Sequence, residues 1–225
     1  MSSLAILFLR LIRQLLTMVS KVAIIYYSMY GHVGQLARAI KKGVESVGLK
    51  GDLYQIPETL PKDVLEKMHA PGQDPNVPLA TMETLEQYEA FLFGMPTRYG
   101  NQSAQVRAFW DRTGQLWVKG SLHQKLAGVF FSTASMGGGQ EMTAANFIST
   151  LAHHGMVYVP LGYFNTFSQF TGLTEVRGGS AWGSGTLAGG DGSRQPSKLE
   201  LEVAEIQGKT FAELAKRVQS KPEDK

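Results

Sequence analysis

The segment of residues 21–34, KVAIIYYSMYGHVG, constrains the fold of this chain more than any other stretch. Residues 22–27 form a continuous apolar run rich in β-branched and aromatic side chains. Such a run is typical of a strand buried on both faces of a parallel sheet. The run ends at Ser28, and apolar residues then recur at steps of three and four between Val33 and Val47. This spacing predicts a helix, so the segment is a β-loop-α unit.

The loop between this strand and this helix is suited to bind an anion. A strand that enters a helix through a tight loop directs free backbone N–H groups at one point, and the helix dipole favours negative charge there. The loop has neither the Lys of a Walker A motif nor a G-x-G-x-x-G turn. It offers the hydroxyl of Ser28, the flexible Gly31 and a row of amides. These groups suit a terminal phosphate monoester, as FMN has in the flavodoxin-like fold, but an ordinary turn with a capping serine has the same pattern.

Composition excludes several classes of function. The 225 residues fit one α/β domain, and the formal charge of +3 comes without a run of Lys or Arg, so no nucleic-acid partner is expected. The absence of Cys excludes disulfides and thiolate metal sites, and no spacing typical of a metal site is found. A reducing, cytoplasmic location is compatible with this composition.

Residues 1–19 differ from the rest of the chain because they are strongly apolar and contain no acidic residue. Arg10 and Arg13 interrupt the run, which argues against a transmembrane span. An amphipathic helix for peripheral membrane contact or mitochondrial targeting is one interpretation. The other is an upstream extension of a chain that can start at Met18. We expect a folded domain over residues 20–219 and a polar tail over residues 220–225.

Two further apolar runs, at residues 90–95 and 126–131, repeat the design of the first. Each predicts a buried strand, and each ends in a polar loop that contains Gly and precedes a helical segment. Because the carboxyl ends of parallel strands meet at one edge of a sheet, we expect the three loops to converge on one crevice. Weaker patterns predict strands at residues 52–56 and 156–161.

The remaining segments are assigned from spacing and end signals. Helices are predicted at residues 61–68, 81–88, 102–112 and 140–152. A capping box at Ser197 and Glu200 starts a further helix, which is predicted to run to about residue 218. Trp117 falls in a stretch that looks like a loop, where an exposed aromatic ring indicates an interface or a stacking surface. Residues 177–196 are rich in Gly and are interpreted as an ordered surface or interface loop, although their composition is also compatible with disorder.

Five motifs in order resemble one family. They are SMYGH, PTRYGN, STASMGGGQE, LAHHGM and GGDGSRQPS. Together they resemble the WrbA-type NAD(P)H:quinone oxidoreductases, and in particular the fungal flavodoxin-like members. The resemblance extends from residue 21 to about residue 218. One departure is that the third loop reads Thr-Ala-Ser-Met-Gly-Gly-Gly, one residue longer than the usual Thr-Gly-Thr-Gly-Gly-Gly.

The resemblance implies an α/β flavodoxin-like three-layer sandwich with a five-stranded parallel sheet in the order 2-1-3-4-5. It also implies non-covalent FMN, NADH or NADPH as electron donor, a quinone substrate and a homotetramer with sites near subunit contacts. Tyr30 and Trp117 would line the side of the nicotinamide and the quinone. The residues expected to bind FMN are Ser28, Met29, Tyr30, Gly31, His32, Val33, Pro96, Thr97, Arg98, Tyr99, Gly100, Thr133, Ala134, Ser135, Met136, Gly137, Gly138 and His154.

The expected mechanism is ping-pong hydride transfer, from nicotinamide to flavin and then from flavin to quinone. The flavin carries the chemistry, and the fixed charge of Arg98 is a candidate for stabilising the reduced flavin. Two other classes remain open. One is a one-electron flavodoxin carrier, although such carriers are usually strongly acidic and this domain is nearly neutral. The other is a non-enzymatic, membrane-associated protein that uses residues 1–19 as an anchor.

Overall fold

A computed structural model describes residues 20–219, and the predictions for residues 1–19 and 220–225 lie outside this range. The strands are β1 (Lys21–Tyr26), β2 (Lys50–Gln55), β3 (Ala90–Arg98), β4 (Asn101–Gln102), β5 (Leu126–Thr133), β6 (Val157–Tyr158) and β7 (Gly185–Leu187). The helices are α1 (His32–Ser46), α2 (Lys62–Lys67), α3 (Met82–Gln87), α4 (Ala104–Asp111), α5 (Gly114–Lys119), α6 (Gln140–His153), α7 (Phe167–Thr171) and α8 (Lys198–Gln219).

The sheet is parallel in the order β2-β1-β3-β5, and two short strands share the next position. Near its start β5 pairs with β6, and at its end it pairs with β7. The predicted order 2-1-3-4-5 is confirmed. The fifth position is shared by β6 and β7, and residues 159–184 connect these two strands. In addition, β4 folds back antiparallel on the end of β3.

The sheet separates two apolar cores, which makes three layers. Successive residues of β1 enter opposite cores, with Ile24 in the core under α1 and α8 and Ile25 in the core under α4 and α6. The residues of β1 from Val22 onward are buried, and so are all residues of β5. The unbroken apolar runs follow from this burial, because no position of such a strand faces water.

Helices α1 and α8 cover one face of the sheet and approach each other closely at two glycines. A Cβ added at Gly43 would lie 1.9 Å from the carbonyl oxygen of Glu205, and one at Gly208 would lie 2.1 Å from that of Ile40. The missing side chains therefore allow the two backbones to touch.

Several element predictions are confirmed, and others need correction. The helices predicted near residues 61–68, 81–88, 102–112 and 140–152 are present as α2, α3, α4 and α6. The second strand starts two residues earlier than predicted and ends at Gln55. The predicted strand at 156–161 is wrong in extent, since only Val157 and Tyr158 pair as β6, at the half-exposed edge of the sheet.

Two segments predicted as loops contain regular structure. Trp117 lies in the short helix α5, which begins after Thr113 and ends at the left-handed Gly120. The Gly-rich segment 177–196 contains β7, whose three residues are buried. A helix of six residues and a strand of three are too short for their periodicity to be read from sequence. Among residues 20–219, no helix is both long enough and apolar enough to cross a membrane.

Candidate active site

The largest concentration of predicted site residues surrounds a cavity of about 420 Å³ at the carboxyl ends of β1, β3 and β5. This volume lies within the range of small-molecule sites. The three predicted loops do converge here, as expected for an open parallel sheet. The cavity is lined by Ser28, Met29, Tyr30, His32, Val33, Met68, Pro96, Thr97, Arg98, Ser132, Thr133, Ala134, Ala188, Gly189 and Gly192.

The first loop forms a cradle at the start of α1. Gly31, which precedes the helix, has a φ of 90°, in the left-handed region that glycine adopts without strain. The hydroxyl oxygen of Ser28 accepts a hydrogen bond of 3.2 Å from the amide of Gly34. The first N–H groups of a helix have no partner within it, so the start of α1 offers donors to an anion.

The second loop is a two-residue hairpin turn between β3 and β4. Its central residues, Tyr99 and Gly100, both have positive φ angles, of 54° and 74°, as a type I′ turn requires. The Thr97 hydroxyl accepts from the amide of Gly100 and shares a 2.7 Å hydrogen bond with the hydroxyl of Thr143 on α6. Arg98 is exposed, and its guanidinium donates to the carbonyl of Thr97 over 2.8 Å. Pro96, Thr97 and Arg98 line the cavity, whereas Tyr99 and Gly100 form the turn beside it.

The third loop turns away from the cavity after Ala134. The Thr133 hydroxyl donates to the carbonyl of Ser135 over 2.9 Å, which closes the turn. Thr133 and Ala134 line the cavity, while Ser135, Met136 and Gly137 line a neighbouring hollow with the start of α6. The side chain of Met136 is exposed, so the extra residue of this loop is accommodated outside the cavity. Gly138 lies behind the loop, against Ser135 and Thr133.

A fourth wall, formed by Ala188, Gly189 and Gly192, was missing from the site predicted from sequence. The amides of Ala188 and Gly189 donate to the carbonyls of Thr133 and Ala134 over 2.8 and 2.9 Å, which joins this wall to the third loop. The motif GGDGSRQPS contains these glycines and was a usable signal. It lacks the periodicity that locates a segment beside a strand.

Tyr30 stands at the rim of the cavity. Its side chain is 45% exposed, and its hydroxyl donates to the carbonyl of Met68 over 3.2 Å. Met68 follows α2, so the end of this short helix also lines the cavity.

His154 and Trp117 do not line this cavity within one chain. His154 lines a separate polar cavity of about 590 Å³ beside α4 and α6, and Trp117 donates its indole N–H to the carbonyl of His153. The Thr113 hydroxyl donates to the carbonyl of Trp110 and therefore accepts from Nε2 of His154, 2.9 Å away. Nδ1 of His154 is buried without a partner. Burial, and then the neighbouring His153, lower the pKa of His154, which favours this neutral form.

The donors of the first loop fit a phosphate monoester. They are the hydroxyl of Ser28 and the backbone amides at the start of α1, where His32 is buried at the first position. Arg98 contributes the formal positive charge among the residues that line the cavity. Within residues 20–219, no group of His, Asp and Glu side chains is arranged to hold a metal ion.

Comparison with known proteins supports the same interpretation. The family model described as flavodoxin matches residues 24–155, which is more than half of the chain and includes the first three loops. The chain belongs to the flavodoxin family. Several of its similar relatives are fungal. A Candida albicans protein named an NAD(P)H quinone oxidoreductase is 58% identical over 196 residues, which cover 87% of this chain and 98% of that protein.

Two other flavodoxin-family comparisons agree. A Saccharomyces cerevisiae protein named protoplast secreted protein 2 is 58% identical over 86% of this chain and 96% of its own length. A crystal structure of a flavodoxin, WrbA-like protein from Agrobacterium tumefaciens superimposes with a TM-score of 0.62. At 23% identity, over 88% of this chain and 98% of that one, this likeness shows the fold. The family predicted from the five motifs is confirmed.

Proposed function

We propose that this chain is an FMN-dependent NAD(P)H quinone oxidoreductase that reduces quinones by two electrons. The observation that carries the proposal is the cavity at the carboxyl edge of the sheet, which the anion cradle of the first loop and the exposed Tyr30 both border. The names of relatives that are 52–58% identical support the choice of donor and acceptor. A bound flavin would supply two-electron redox chemistry between a reduced nicotinamide and a quinone.

We assign the phosphate of FMN to the first loop. The amides at the start of α1, the Ser28 hydroxyl and the left-handed Gly31 favour a terminal phosphate there. The isoalloxazine ring is then assigned to the space between Pro96 and Ala134 on the neighbouring loops. Tyr30 at the rim is in position to contact a nicotinamide or a quinone that enters from solvent.

We further propose that this chain works as a homotetramer. His154 and Trp117 lie away from the cavity of their own chain, and Trp117 is 58% exposed beside the exposed Val118. An exposed tryptophan next to an apolar side chain is a common feature of subunit contacts. His154 and Trp117 would then reach a flavin across a contact between two copies.

The decisive experiment is anaerobic stopped-flow spectroscopy of the FMN-reconstituted protein. Flavin absorbance should bleach directly to the two-electron reduced level with NADH or NADPH and recover rapidly with benzoquinone. Bound FMN that reacts with neither nicotinamide would identify a one-electron carrier instead. A protein that binds no FMN would contradict the proposal.

Arg98 has a defined role in this proposal, because a fixed positive charge stabilises the negative charge of a reduced flavin. We expect Arg98→Ala to slow the reductive half-reaction by about tenfold, as expected from the loss of one charge-assisted interaction of about 1.4 kcal/mol. Lys209→Ala removes a positive charge from the exposed side of α8, away from both cavities, and is the control. Unchanged rates in both half-reactions would contradict the role of Arg98.

We propose a cytoplasmic location, with residues 1–19 as the segment to test. Fractionation of cells that carry the full chain or a chain without residues 1–17 separates the alternatives. Membrane association that disappears with residues 1–17 would identify an anchor, and a mitochondrial signal that disappears with them would identify a targeting sequence.

A further inference from the structure

The fourth wall of the cavity connects to α1, although these two parts of the chain are far apart in sequence. Nε2 of His32 donates to the carbonyl of Arg194 over 2.9 Å, between residues 162 positions apart. In addition, the side-chain nitrogen of Gln35 donates to the side-chain oxygen of Gln195 over 2.7 Å. The amides of Ala188 and Gly189 in the same segment bind the third loop. The segment 188–195 therefore connects the anion cradle of the first loop to the third loop.

The position of this segment depends on the guanidinium of Arg194. One terminal nitrogen donates to the carbonyl of Leu187 over 2.6 Å and contacts both carboxylate oxygens of Glu200. The other donates to the carbonyl of Val176 over 3.0 Å. Because a guanidinium presents its donors in a rigid plane, these bonds fix the backbone of Arg194, including the carbonyl that holds His32.

Glu200 is in turn held by its surroundings. Its carboxylate is fully buried in the first turn of α8 and forms the capping box with Ser197. It also accepts from the amides of Gly178 and Leu187 and from the hydroxyl of Thr186. A buried carboxylate that accepts this many hydrogen bonds is a rigid anchor.

We propose that Arg194, anchored by Glu200, is a positioning residue for the phosphate end of the flavin site. Its side chain does not line the cavity, so it acts through the segment 188–195 and through His32. This inference rests on the assignment of the FMN phosphate to the first loop. Arg194 therefore affects the binding of FMN more than that of riboflavin, which lacks the phosphate.

The test is a fluorescence titration of the apoprotein with FMN and with riboflavin. For Arg194→Ala we expect the Kd of FMN to rise about tenfold, which corresponds to the loss of one hydrogen bond to a charged group. The Kd of riboflavin should stay within about twofold, because riboflavin has no phosphate that could lose this hydrogen bond. Arg194→Lys keeps a charge beside Glu200 and should recover part of the FMN affinity.

Two further variants keep the proposal falsifiable. Glu205→Gln breaks the exposed ion pair between α8 and Lys42 of α1 and should change neither Kd. If Arg194→Ala leaves Glu200 buried without its partner and fails to fold, the double variant Arg194→Met with Glu200→Gln removes both charges. It should show the same selective loss of FMN affinity.

The outcomes distinguish the positioning role of Arg194 from the assignment of the phosphate to the first loop. Folded Arg194 variants whose ratio of FMN to riboflavin affinity equals that of the wild type overturn the positioning role. This includes variants in which both flavins bind more weakly by the same factor, because the effect is then not at the phosphate. A wild-type protein that binds FMN no better than riboflavin contradicts instead the assignment of the phosphate to the first loop.

Discussion

At the scale of single residues, Tyr99 shows a conflict between the side chain and the backbone. It is fully exposed and adopts a φ of 54°, in the left-handed region that is unfavourable for a side chain with a Cβ. The turn it shares with Gly100 needs this conformation to reverse β3 into β4. The cost of this conformation is borne at the rim of the candidate site, where strained residues are often functional.

Tyr99→Asn is expected to stabilise the fold. The substitution creates Asn-Gly, the preferred pair of a type I′ turn, and should raise the free energy of unfolding by about 0.5–1 kcal/mol. Urea unfolding of the apoprotein measures this change. A lower midpoint in the variant would contradict the prediction. Flavin reduction rates measured on the same variant report whether Tyr99 also borders the ring.

A second prediction at this scale concerns Glu58, which supports the end of β1. Its carboxylate accepts from the Tyr27 hydroxyl over 2.6 Å and from the side-chain amide of Gln105 over 2.7 Å. Burial alone would raise the pKa of Glu58, but these bonds and the amides of Leu60 and Thr59 hold it below its ordinary value. The ionised form is therefore favoured by the folded state.

Because the folded-state pKa is lowered, Glu58 contributes stability above its unfolded pKa of about 4.3, and this contribution is lost as pH falls through the folded value. Glu58→Gln should lower the free energy of unfolding at pH 7 by about 1–3 kcal/mol. The difference from the wild type should shrink toward pH 3. Asp63→Asn, in an exposed ion pair, is the control. A difference that is constant with pH would contradict the prediction.

At the scale of elements, the packing of α1 against α8 depends on glycine. Gly43→Ala places a methyl group against the backbone of Glu205, and backbone cannot move aside as a side chain can. We expect a loss of at least about 3 kcal/mol in the free energy of unfolding, at the upper end of overpacking effects.

Gly114→Ala is the matched control for this packing prediction. Gly114 begins α5, and nothing lies within 4 Å of an added Cβ. Since Ala is a better helix former than Gly, this variant should be neutral or gain up to about 1 kcal/mol. Equal effects of the two substitutions would show that the contact between α1 and α8 is not limiting.

The strands differ in how far they were predictable from sequence. Strands β1, β3 and β5 were predictable because burial on both faces leaves an unbroken apolar run. The convergence of their loops then followed from the parallel sheet. Strands β6 and β7 divide one position between two short segments, and neither carries such a run. For this reason the wall around Gly189 was missed.

The hydrogen-bond network around Glu200 was only partly predictable from sequence. Its capping box with Ser197 was predictable, because that motif is local. Its contacts with Gly178 and Arg194 depend on how the Gly-rich segment folds back over α8. Such contacts are decided by the tertiary fold and have no local spacing signal.

At the scale of the whole molecule, the candidate site couples ligand binding to global stability. Its walls come from five segments, from residue 28 to residue 192, so unfolding destroys the site completely. With free FMN at 100 times its Kd, binding should add about 2.7 kcal/mol to the free energy of unfolding. The melting temperature should rise by about 5–10 °C for a domain of this size. Differential scanning calorimetry with FMN, and with riboflavin as control, measures the shift, and an unchanged melting temperature with FMN would contradict it.

The late position of β7 has a consequence for biosynthesis. Until residues 185–187 leave the ribosome, the carboxyl half of β5 is paired with β3 on one side only, and the cavity lacks its fourth wall. A polypeptide that stops short of them cannot complete the binding site for a yellow cofactor, even though most of its sheet is already made. Pigmentation of the purified protein would thus separate full-length product from prematurely terminated chains.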